Sequence, residues 1–296
     1  MKRGDRAAVW FVLPSLFLVA LFSIYPICDS VRLSFYRMIL MLPWLGEKFV
    51  GLENYADLAI DPVALASLGV TLLFVGVTAA LEVLVGAGMA LLLNESFRGR
   101  GLVRAAVLVP WAIPTVVSSQ MWRYIFNDRY GLFNFLIFGR DTSRYLAPLA
   151  EPWLARAAII FADVWKTSSF AALIILAGLQ TIPDELYEAA EIDGASAWQK
   201  LRRITLPLVK PALLLALLFR TIDAFKVFDL VFVMTQGGPA DATNVLQFYG
   251  YKKIFAEGMI GYGSAISVGV FLISLALALL YIRLIGARVL EPGAAR

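Results

Sequence analysis

Two long apolar runs of the sequence carry charged side chains where a membrane-spanning helix would ordinarily have none. A charge at the centre of a span costs about 2.5–3.5 kcal/mol on insertion scales, so each such residue is a candidate functional residue. The alternative is that opposite charges only pair helices within a bundle. The charges are Asp163 and Lys166 in residues 157–181, and Arg220, Asp223, Lys226 and Asp229 in residues 211–236.

Helical spacing predicts which of these side chains share a face. At 100° per residue, two polar faces emerge, one on each helix. Lys226 and Asp229 turn to the flank of theirs, so we expect them to pair with each other or with neighbouring helices. Glu82 lies near the centre of a third apolar run. It could line a pathway, but buried carboxyls are often protonated or paired, which favours a structural role. The two faces are Asp163, Lys166, Thr167 and Phe170, and Arg220, Asp223, Ala224, Val227 and Val231.

The segment between these two runs has helix signals of its own. Pro183 suits the first turn of a helix, and Gly194 is placed to end that helix in a left-handed conformation. Ser196 and Gln199 form an S-x-x-Q capping box for a second helix. Pro207 and Pro211 are expected to end it before the next span. The sequence therefore predicts a short rigid hairpin that a partner could push, although a solvated loop between spans is the simpler alternative.

Composition excludes most other classes of protein. The chain has 296 residues, of which 60% are hydrophobic and 16% charged, and its mean hydropathy is +0.77. A soluble domain has about 45–50% apolar and about 25% charged residues, so the composition indicates a polytopic membrane protein. Histidine is absent and Cys28 is the single cysteine, which excludes His bases, Ser-His triads and multi-Cys metal sites. No G-x-x-x-x-G-K-[ST] loop is present, so ATP hydrolysis would need another polypeptide.

The elements that must position these residues are predicted from the apolar runs. Each run is about long enough to cross a bilayer, and the prediction is an all-α membrane protein with six transmembrane helices in a single transmembrane domain, residues 1–296. Pro110 and Pro114 should kink the third span. A weak excess of Lys and Arg in the inner loops favours both termini inside. The predicted spans are 7–28, 68–94, 104–123, 157–181, 211–236 and 258–283, with a cytoplasmic loop at 182–211.

The hairpin carries the strongest resemblance to a known family. Its residue pattern is similar to the EAA signature of the membrane subunits of ATP-binding-cassette importers, which fixes residue type at seven positions. In that family the hairpin is the coupling helix, which docks in a groove of the cytoplasmic ATPase, within a type I importer transmembrane domain. The resemblance implies the same role for Glu188, Ala189, Ala190, Gly194, Ile204, Leu206 and Pro207.

Two further motifs resemble the maltose-type branch of carbohydrate permeases. They are the segment from Phe49 to Tyr55 and the segment from Met234 to Pro239. In that branch the sugar lies near the bilayer midplane, between the spans that flank the EAA loop. Charged groups bind sugar hydroxyls by strong hydrogen bonds, and an aromatic ring stacks on a sugar face. The implied pathway residues are Arg220, Asp223, Ala224, Val227, Asp163, Lys166, Thr167, Phe170 and Ser118.

These resemblances imply a permease subunit of an ATP-driven, binding-protein-dependent importer for a di- or oligosaccharide such as trehalose or maltose. Implied partners are a second, different permease chain, two cytoplasmic ATPase subunits and an extracytoplasmic solute-binding protein. The chain itself is expected to have no catalytic residues, no metal and no cofactor, since the partner uses ATP and magnesium. We expect no nucleic-acid partner, and a multi-pass location in a prokaryotic cytoplasmic membrane.

Other functions stay open at this stage. A strongly charged pathway would also suit a polyol, or a sugar phosphate bound through Arg220 and Lys166. An ion-coupled secondary transporter could use Asp163 and Asp223 as carriers, but it should show inverted repeats. An integral-membrane enzyme acting on lipid would use the charges as a catalytic set near a bilayer surface. Neither of these two classes accounts for the EAA pattern.

Overall fold

The chain is mostly helical. The computed structural model describes residues 12–289, with side chains described as far as Arg283. Residues 7–11 of the predicted first span therefore lie outside the described part. The helices are α1 (Val12–Ser34), α2 (Glu53–Ile60), α3 (Pro62–Asn94), α4 (Arg100–Ala112), α5 (Thr115–Ile125), α6 (Leu132–Phe138), α7 (Pro152–Leu179), α8 (Glu185–Ile192), α9 (Ala197–Phe225), α10 (Asp229–Met234), α11 (Leu246–Tyr251) and α12 (Ile260–Val289).

Five of these helices are long and apolar enough to cross a membrane, namely α1, α3, α7, α9 and α12. The pair α4 and α5 passes the same test together, which makes six candidate spans if the pair counts as one. Among the described residues the one departure from an all-helical fold is an antiparallel ribbon of two strands, β1 (Tyr36–Arg37) and β2 (Lys48–Phe49).

The third predicted span is bent far more sharply than a kinked helix. Helices α4 and α5 meet at 90°. The bend lies at Ile113, which is extended, with φ −69° and ψ 131°. The ring of Pro114 disfavours the helical conformation for the residue before it. Pro110, by contrast, stays inside α4. The predicted kink is therefore confirmed, but Pro114 alone accounts for its position.

The prediction for the fifth span was wrong at both ends. Pro207 and Pro211 do not end the second helix of the hairpin, because α9 runs continuously through them. A wider π-helical turn, Leu201–Thr205, precedes Pro207 and accommodates it. At its other end α9 stops at Phe225 rather than at residue 236, and α10 begins only at Asp229.

Packing divides the described chain into two compact units, one formed by residues 12–66 with Tyr249–Leu272, the other by Ser67–Phe248 with the chain from Ile273. In the first, the ribbon lies on α2 because buried Asn54 donates to the main-chain oxygens of Ser34 and Tyr36, at 2.8 and 3.0 Å. This contact explains the asparagine of the Phe49–Tyr55 motif.

The second unit is built around α7, whose buried face consists largely of Ala and Ser. Small residues allow membrane helices to approach closely. At Gly86 of α3, an added Cβ would lie only 2.8 Å from the Cβ of Ala171. This close packing of α3, α7 and α9 brings polar residues from three distant parts of the chain together.

Candidate functional site

The second unit contains a polar cavity of about 680 Å³. It opens between the bend of α4 and α5, the middle of α7, and the gap between α9 and α10. Three acids and three bases line it, which is unusual for the interior of apolar helices. Its charged residues are Asp163, Asp223, Asp229, Lys166, Arg220 and Lys226, and its other walls include Trp111, Ile113, Thr115, Thr167, Ala224 and Val227. Most of the residues selected by helical spacing are thus brought together.

Arg220 is fixed by a residue for which the sequence favoured only a structural role. Its Nε donates to Oε2 of Glu82 at 2.5 Å, and its Nη2 lies 3.4 Å from Oε1. Glu82 on α3 is fully buried, and the Thr167 hydroxyl donates to its Oε1 at 2.6 Å. The predicted pair with Asp223 also forms, at 3.3 Å, but it is the weaker contact. Glu82 thus joins α3, α7 and α9 behind the cavity wall.

Asp163 and Lys166 do not pair with each other in the described part of the chain. The Nζ of Lys166 donates to the main-chain oxygens of Trp111, at 3.2 Å, and Ile113. It thereby satisfies carbonyls that the bend at Pro114 leaves without helical partners. Asp163 is buried in the cavity wall, and its Oδ2 has no hydrogen-bond partner among the described residues. That oxygen has almost no exposed surface, so it lies behind the surface of the cavity.

Lys226 and Asp229 line the cavity instead of pairing with each other, contrary to the prediction from spacing. The helical wheel was wrong here because α9 ends at Phe225, before both of them. At that point the N–H groups of Lys226 and Val227 bond to carbonyls three residues earlier, at 3.1 and 3.2 Å. Non-helical backbone at membrane depth is tolerated where it lines a polar cavity. In the sequence, the charges of Lys226 and Asp229 were the signal that this segment lines a polar cavity.

Two predicted pathway residues lie outside the cavity wall. Phe170 packs behind it, stacked on Trp111 with ring centroids 5.5 Å apart. Ser118 is buried in α5, where its hydroxyl donates to the carbonyl of Thr115 at 2.9 Å. The aromatic residues that do line the cavity are Trp111 and Phe228. Trp111 follows Pro110, but the sequence predicts only a kink there and so gives no signal that this side chain reaches the cavity.

The hairpin, residues 182–207, forms by local contacts. The helix α8 ends at Ile192, and Gly194 follows its C-cap in a left-handed conformation with φ +74°, as predicted. The N–H of Ala195 bonds to the carbonyl of Ala190 at 2.8 Å, which completes a Schellman motif. The predicted capping box is confirmed, since Ser196 and Gln199 bond to each other's main chain at 2.7 and 3.4 Å.

The hairpin is anchored on one side and exposed on the other. Ile204 and Tyr187 pack against the buried core of the second unit, and the Tyr187 hydroxyl lies 3.0 Å from that of Thr205. Glu188, Ala189, Gly194, Leu206 and Pro207 are exposed, while Ala190 is half-buried. Ile192 and Trp198 leave 87% and 66% of their surface uncovered. An apolar surface of this kind on a rigid hairpin is suited to docking.

The cavity has the chemistry of a binding site for a polar solute. It combines charged donors and acceptors with one indole face, which suits hydroxyl groups and an apolar ring face. Among the described residues, no group of three or more His, Cys, Asp or Glu side chains is placed to hold a metal ion.

Comparisons with known proteins identify close relatives. Residues 82–293 match the family model described as binding-protein-dependent transport system inner membrane component. The chain is 42% identical to the trehalose/maltose transport system permease protein MalF of Thermococcus litoralis, over 95% of this chain and 94% of that protein. It is 39% identical to the trehalose transport system permease protein SugA of Mycobacterium tuberculosis, over 95% and 89%.

The fold also has a solved counterpart. A bacterial alginate ABC transporter, crystallised in complex with an alginate pentasaccharide-bound periplasmic protein, contains a chain that superposes with a TM-score of 0.81. The two chains are 21% identical, and the superposition covers 99% of each. At this identity the likeness concerns the fold.

Proposed function

The chain belongs to the family of binding-protein-dependent transport system inner membrane components, and from that membership we propose that it carries a neutral di- or oligosaccharide such as trehalose or maltose. Members of this family are integral membrane transport subunits and not enzymes, and ATP is hydrolysed by a separate subunit. The observation that carries the proposal is the cavity of about 680 Å³ with three acids and three bases in its wall.

The cavity is proposed as this chain's half of the sugar pathway. The volume of the cavity lies within the roughly 300–1,000 Å³ that is typical of pockets for small molecules. The half-exposed carboxylate of Asp223 and the remaining N–H groups of Arg220 would bind sugar hydroxyls, with Asp163 in the wall beside them. Trp111 would stack on a ring face. Lys166 and Thr167 hold the wall in place from α7. Two close relatives bear names that specify trehalose, which supports the same substrate class here.

The hairpin is proposed as the element that couples the pathway to the ATPase. Its exposed residues, Glu188 and Ala189 among them, would dock in a groove of the ATPase, while Ile204 transmits movement to the core. Small alanines allow close approach, and Glu188 offers a charge for a basic partner residue. This role requires the hairpin, residues 182–207, to lie on the cytoplasmic side.

That requirement sets the proposed topology and assembly. With six spans, counting α4 and α5 as one, both termini lie inside and residues 1–296 form a single permease domain. A second permease chain of a different sequence supplies the other half of the pathway, and two ATPase subunits bind ATP and magnesium. A solute-binding protein delivers the sugar from outside. The family description and the complex of the alginate transporter support these kinds of partner.

The proposal is tested by ATPase measurements on the assembled complex in proteoliposomes. The binding protein is added with trehalose, maltose, sorbitol or trehalose 6-phosphate, and ATP hydrolysis and uptake of the labelled solute are both measured. We expect the neutral disaccharides to stimulate hydrolysis several-fold, and uptake to require ATP. Stimulation by sorbitol or the sugar phosphate alone would reject the disaccharide, and uptake without any ATPase subunit would reject the importer mechanism.

Two variants separate the pathway from the coupling element. Asp163→Asn should weaken sugar-stimulated hydrolysis while the complex still assembles, because it removes one acid from the cavity wall. Glu188→Ala should uncouple hydrolysis from the sugar, because it removes the charge for the ATPase groove. Glu95→Ala, outside both the hairpin and the cavity wall, is the matched control and should behave like the wild type.

A further inference from the structure

Among the described residues in and around the cavity, Glu82 is the most deeply buried charged residue. It is 0% exposed, whereas Arg220, which it contacts, is 4% exposed and forms part of the cavity wall. Two donors of the guanidinium are directed at its carboxylate and a third at Asp223. Arginine has five N–H donors, so two remain for a solute.

This arrangement changes what the solute encounters. A free guanidinium is a planar fork that binds carboxylate or phosphate through two parallel hydrogen bonds. In this protein the edge formed by Nε and Nη2 is already occupied by Glu82. The charge of Arg220 is compensated from behind, and its orientation is fixed. What remains suits a neutral hydroxyl, which needs single hydrogen bonds and no counter-charge.

The net charge of the wall supports the same conclusion. The six charged lining residues comprise three acids and three bases. Adding the buried carboxylate of Glu82 makes four acids against three bases, so each base is matched by an acid even when one buried carboxyl is protonated. An anionic solute would therefore find no uncompensated positive charge to offset the loss of its hydration.

We infer that Glu82 is a positioning and specificity-determining residue, which compensates and orients Arg220 so that the cavity accepts neutral sugars and excludes anionic ones. The inference rests on the proposed function, since it assigns a substrate preference to the same cavity. Glu82 acts through Arg220 and does not itself line the cavity.

A pair that only holds α3 to α9 would stabilise the bundle without affecting substrate choice. The two roles are separated by the ratio of two affinities measured on one protein. Loss of packing lowers the amount of assembled complex, whereas loss of compensation changes the ratio. Trehalose and trehalose 6-phosphate are suitable probes because they share both sugar rings and differ by the phosphate charge.

The experiment uses the complete permease and ATPase complex in nanodiscs without the binding protein, whose own selectivity would mask the cavity. Saturation-transfer difference NMR gives the dissociation constants of both probes. In the wild type we expect trehalose to bind and the phosphate to bind at least about tenfold more weakly. In Glu82→Gln the ratio should move toward the phosphate by about tenfold, as expected for one uncompensated charge within several ångströms in a partly shielded site.

Three further variants make the test decisive. Glu82→Gln combined with Arg220→Gln restores the wall's net charge, so the ratio should return to within about threefold of the wild type. Thr78→Val, a buried threonine one turn earlier on α3, is the control and should leave the ratio unchanged. If Glu82→Gln does not assemble, Glu82→Asp keeps the charge but shortens the side chain, which weakens the contact with Arg220 and should shift the ratio about threefold in the same direction.

The outcomes distinguish failure of the inference about Glu82 from failure of the proposed function. A wild-type complex that binds trehalose, together with an unchanged ratio in Glu82→Gln or its substitute, overturns the inference and leaves the proposed function standing. A wild-type complex that prefers the phosphate overturns the inference as well. A wild-type complex that binds neither sugar, and whose ATPase no sugar-loaded binding protein stimulates, overturns the proposed function itself.

Discussion

The cavity and the hairpin are both shaped by polar contacts, but their partners lie at very different separations along the chain. In the hairpin, Ser196 and Gln199 cap each other across three residues. In the cavity, Glu82 and Arg220 are 138 residues apart. Neighbours in sequence meet in any chain that turns, whereas distant ones meet only after the helices have packed. The hairpin is therefore a local structure, and the cavity depends on the whole second unit.

The two regions also differ in how far their contacts are exposed to water. The side chains of the Glu82–Arg220 pair are 0% and 5% exposed, so water cannot replace a lost partner. The hairpin's capping contacts lie at the surface, where water readily substitutes. We therefore expect disruption to cost most in the cavity and least in the hairpin, and substitutions can test this order.

The largest effect is expected from Arg220→Met. The substitution leaves the Glu82 carboxylate buried without its cation, and loss of one partner of a buried pair typically costs about 3–5 kcal/mol. The free energy of unfolding in a mixed-detergent titration measures this loss. Asp223→Asn removes the half-exposed partner of the same arginine and should cost less than about 1 kcal/mol. Equal losses of unfolding free energy in both variants would show that burial does not determine which contact contributes more to stability.

Asp61 tests the comparison between local and distant contacts within one residue. Its carboxylate accepts hydrogen bonds from neighbours in sequence and from residues far along the chain. Its Oδ1 accepts the N–H of Val63 at 2.9 Å and that of Ala64 at 3.3 Å, at the start of α3. Its Oδ2 accepts the hydroxyls of Tyr249 and Tyr262 at 2.5 and 2.6 Å. Tyr262→Phe removes one distant hydrogen bond to a charged group and should lower the unfolding free energy by about 1.5–3 kcal/mol.

The pH dependence of stability is the second measurement at Asp61. Burial raises the pKa of its carboxyl, but the four hydrogen bonds outweigh burial and hold the pKa below its ordinary value of 3.8. The stabilisation is therefore present above pH 3.8 and is lost as the pH falls through the lower, folded-state pKa. In Asp61→Asn, the unfolding free energy should no longer show this fall at acid pH. Asp57→Asn, which changes an exposed neighbour on α2, should still show it.

A smaller, purely local effect is expected from Gly194→Ala. The left-handed φ of +74° costs a non-glycine residue about 1–2 kcal/mol, and the added Cβ meets no atom within 4 Å. Sugar-stimulated ATP hydrolysis should fall while the bundle unfolds as in the wild type. Gly194→Asn should retain more activity because asparagine tolerates this conformation. Gly88→Ala, on α3 with equally open space, is the control. A bundle destabilised by Gly194→Ala would contradict the local character of the hairpin.

The same distinction explains which features could be predicted from the sequence. Gly194, Ser196 and Gln199 act on neighbours, so their types and spacing sufficed to predict the hairpin. The apolar runs located the long helices, because burial in lipid depends on composition. The extended backbone at Ile113 follows from the proline after it, but the angle of 90° depends on packing that no local pattern encodes.

The partners in the cavity could not be predicted from spacing. A helical wheel on one helix can pair Arg220 with Asp223, yet the stronger partner, Glu82, lies on another helix. It also assumes an unbroken helix, and so it misplaced Lys226 and Asp229 beyond Phe225. Trp111 reaches the cavity only because the bend at Pro114 turns its helix aside. Each of these errors concerns a contact that exists only after α3, α7 and α9 have packed.

The smallest effect is expected where the contact is both local and exposed. Ser196→Ala removes the hydroxyl that accepts the N–H of Gln199, at 3.4 Å, and an N-cap of this type contributes about 1 kcal/mol. Hydrogen exchange in the first turn of α9 should accelerate about fivefold, while exchange in α7 stays unchanged. Ser196→Gly should cost only a few tenths of a kcal/mol, because glycine leaves the cap open to water. Faster exchange in α7 would mean that the hairpin and the cavity unfold together, and that the comparison between them does not hold.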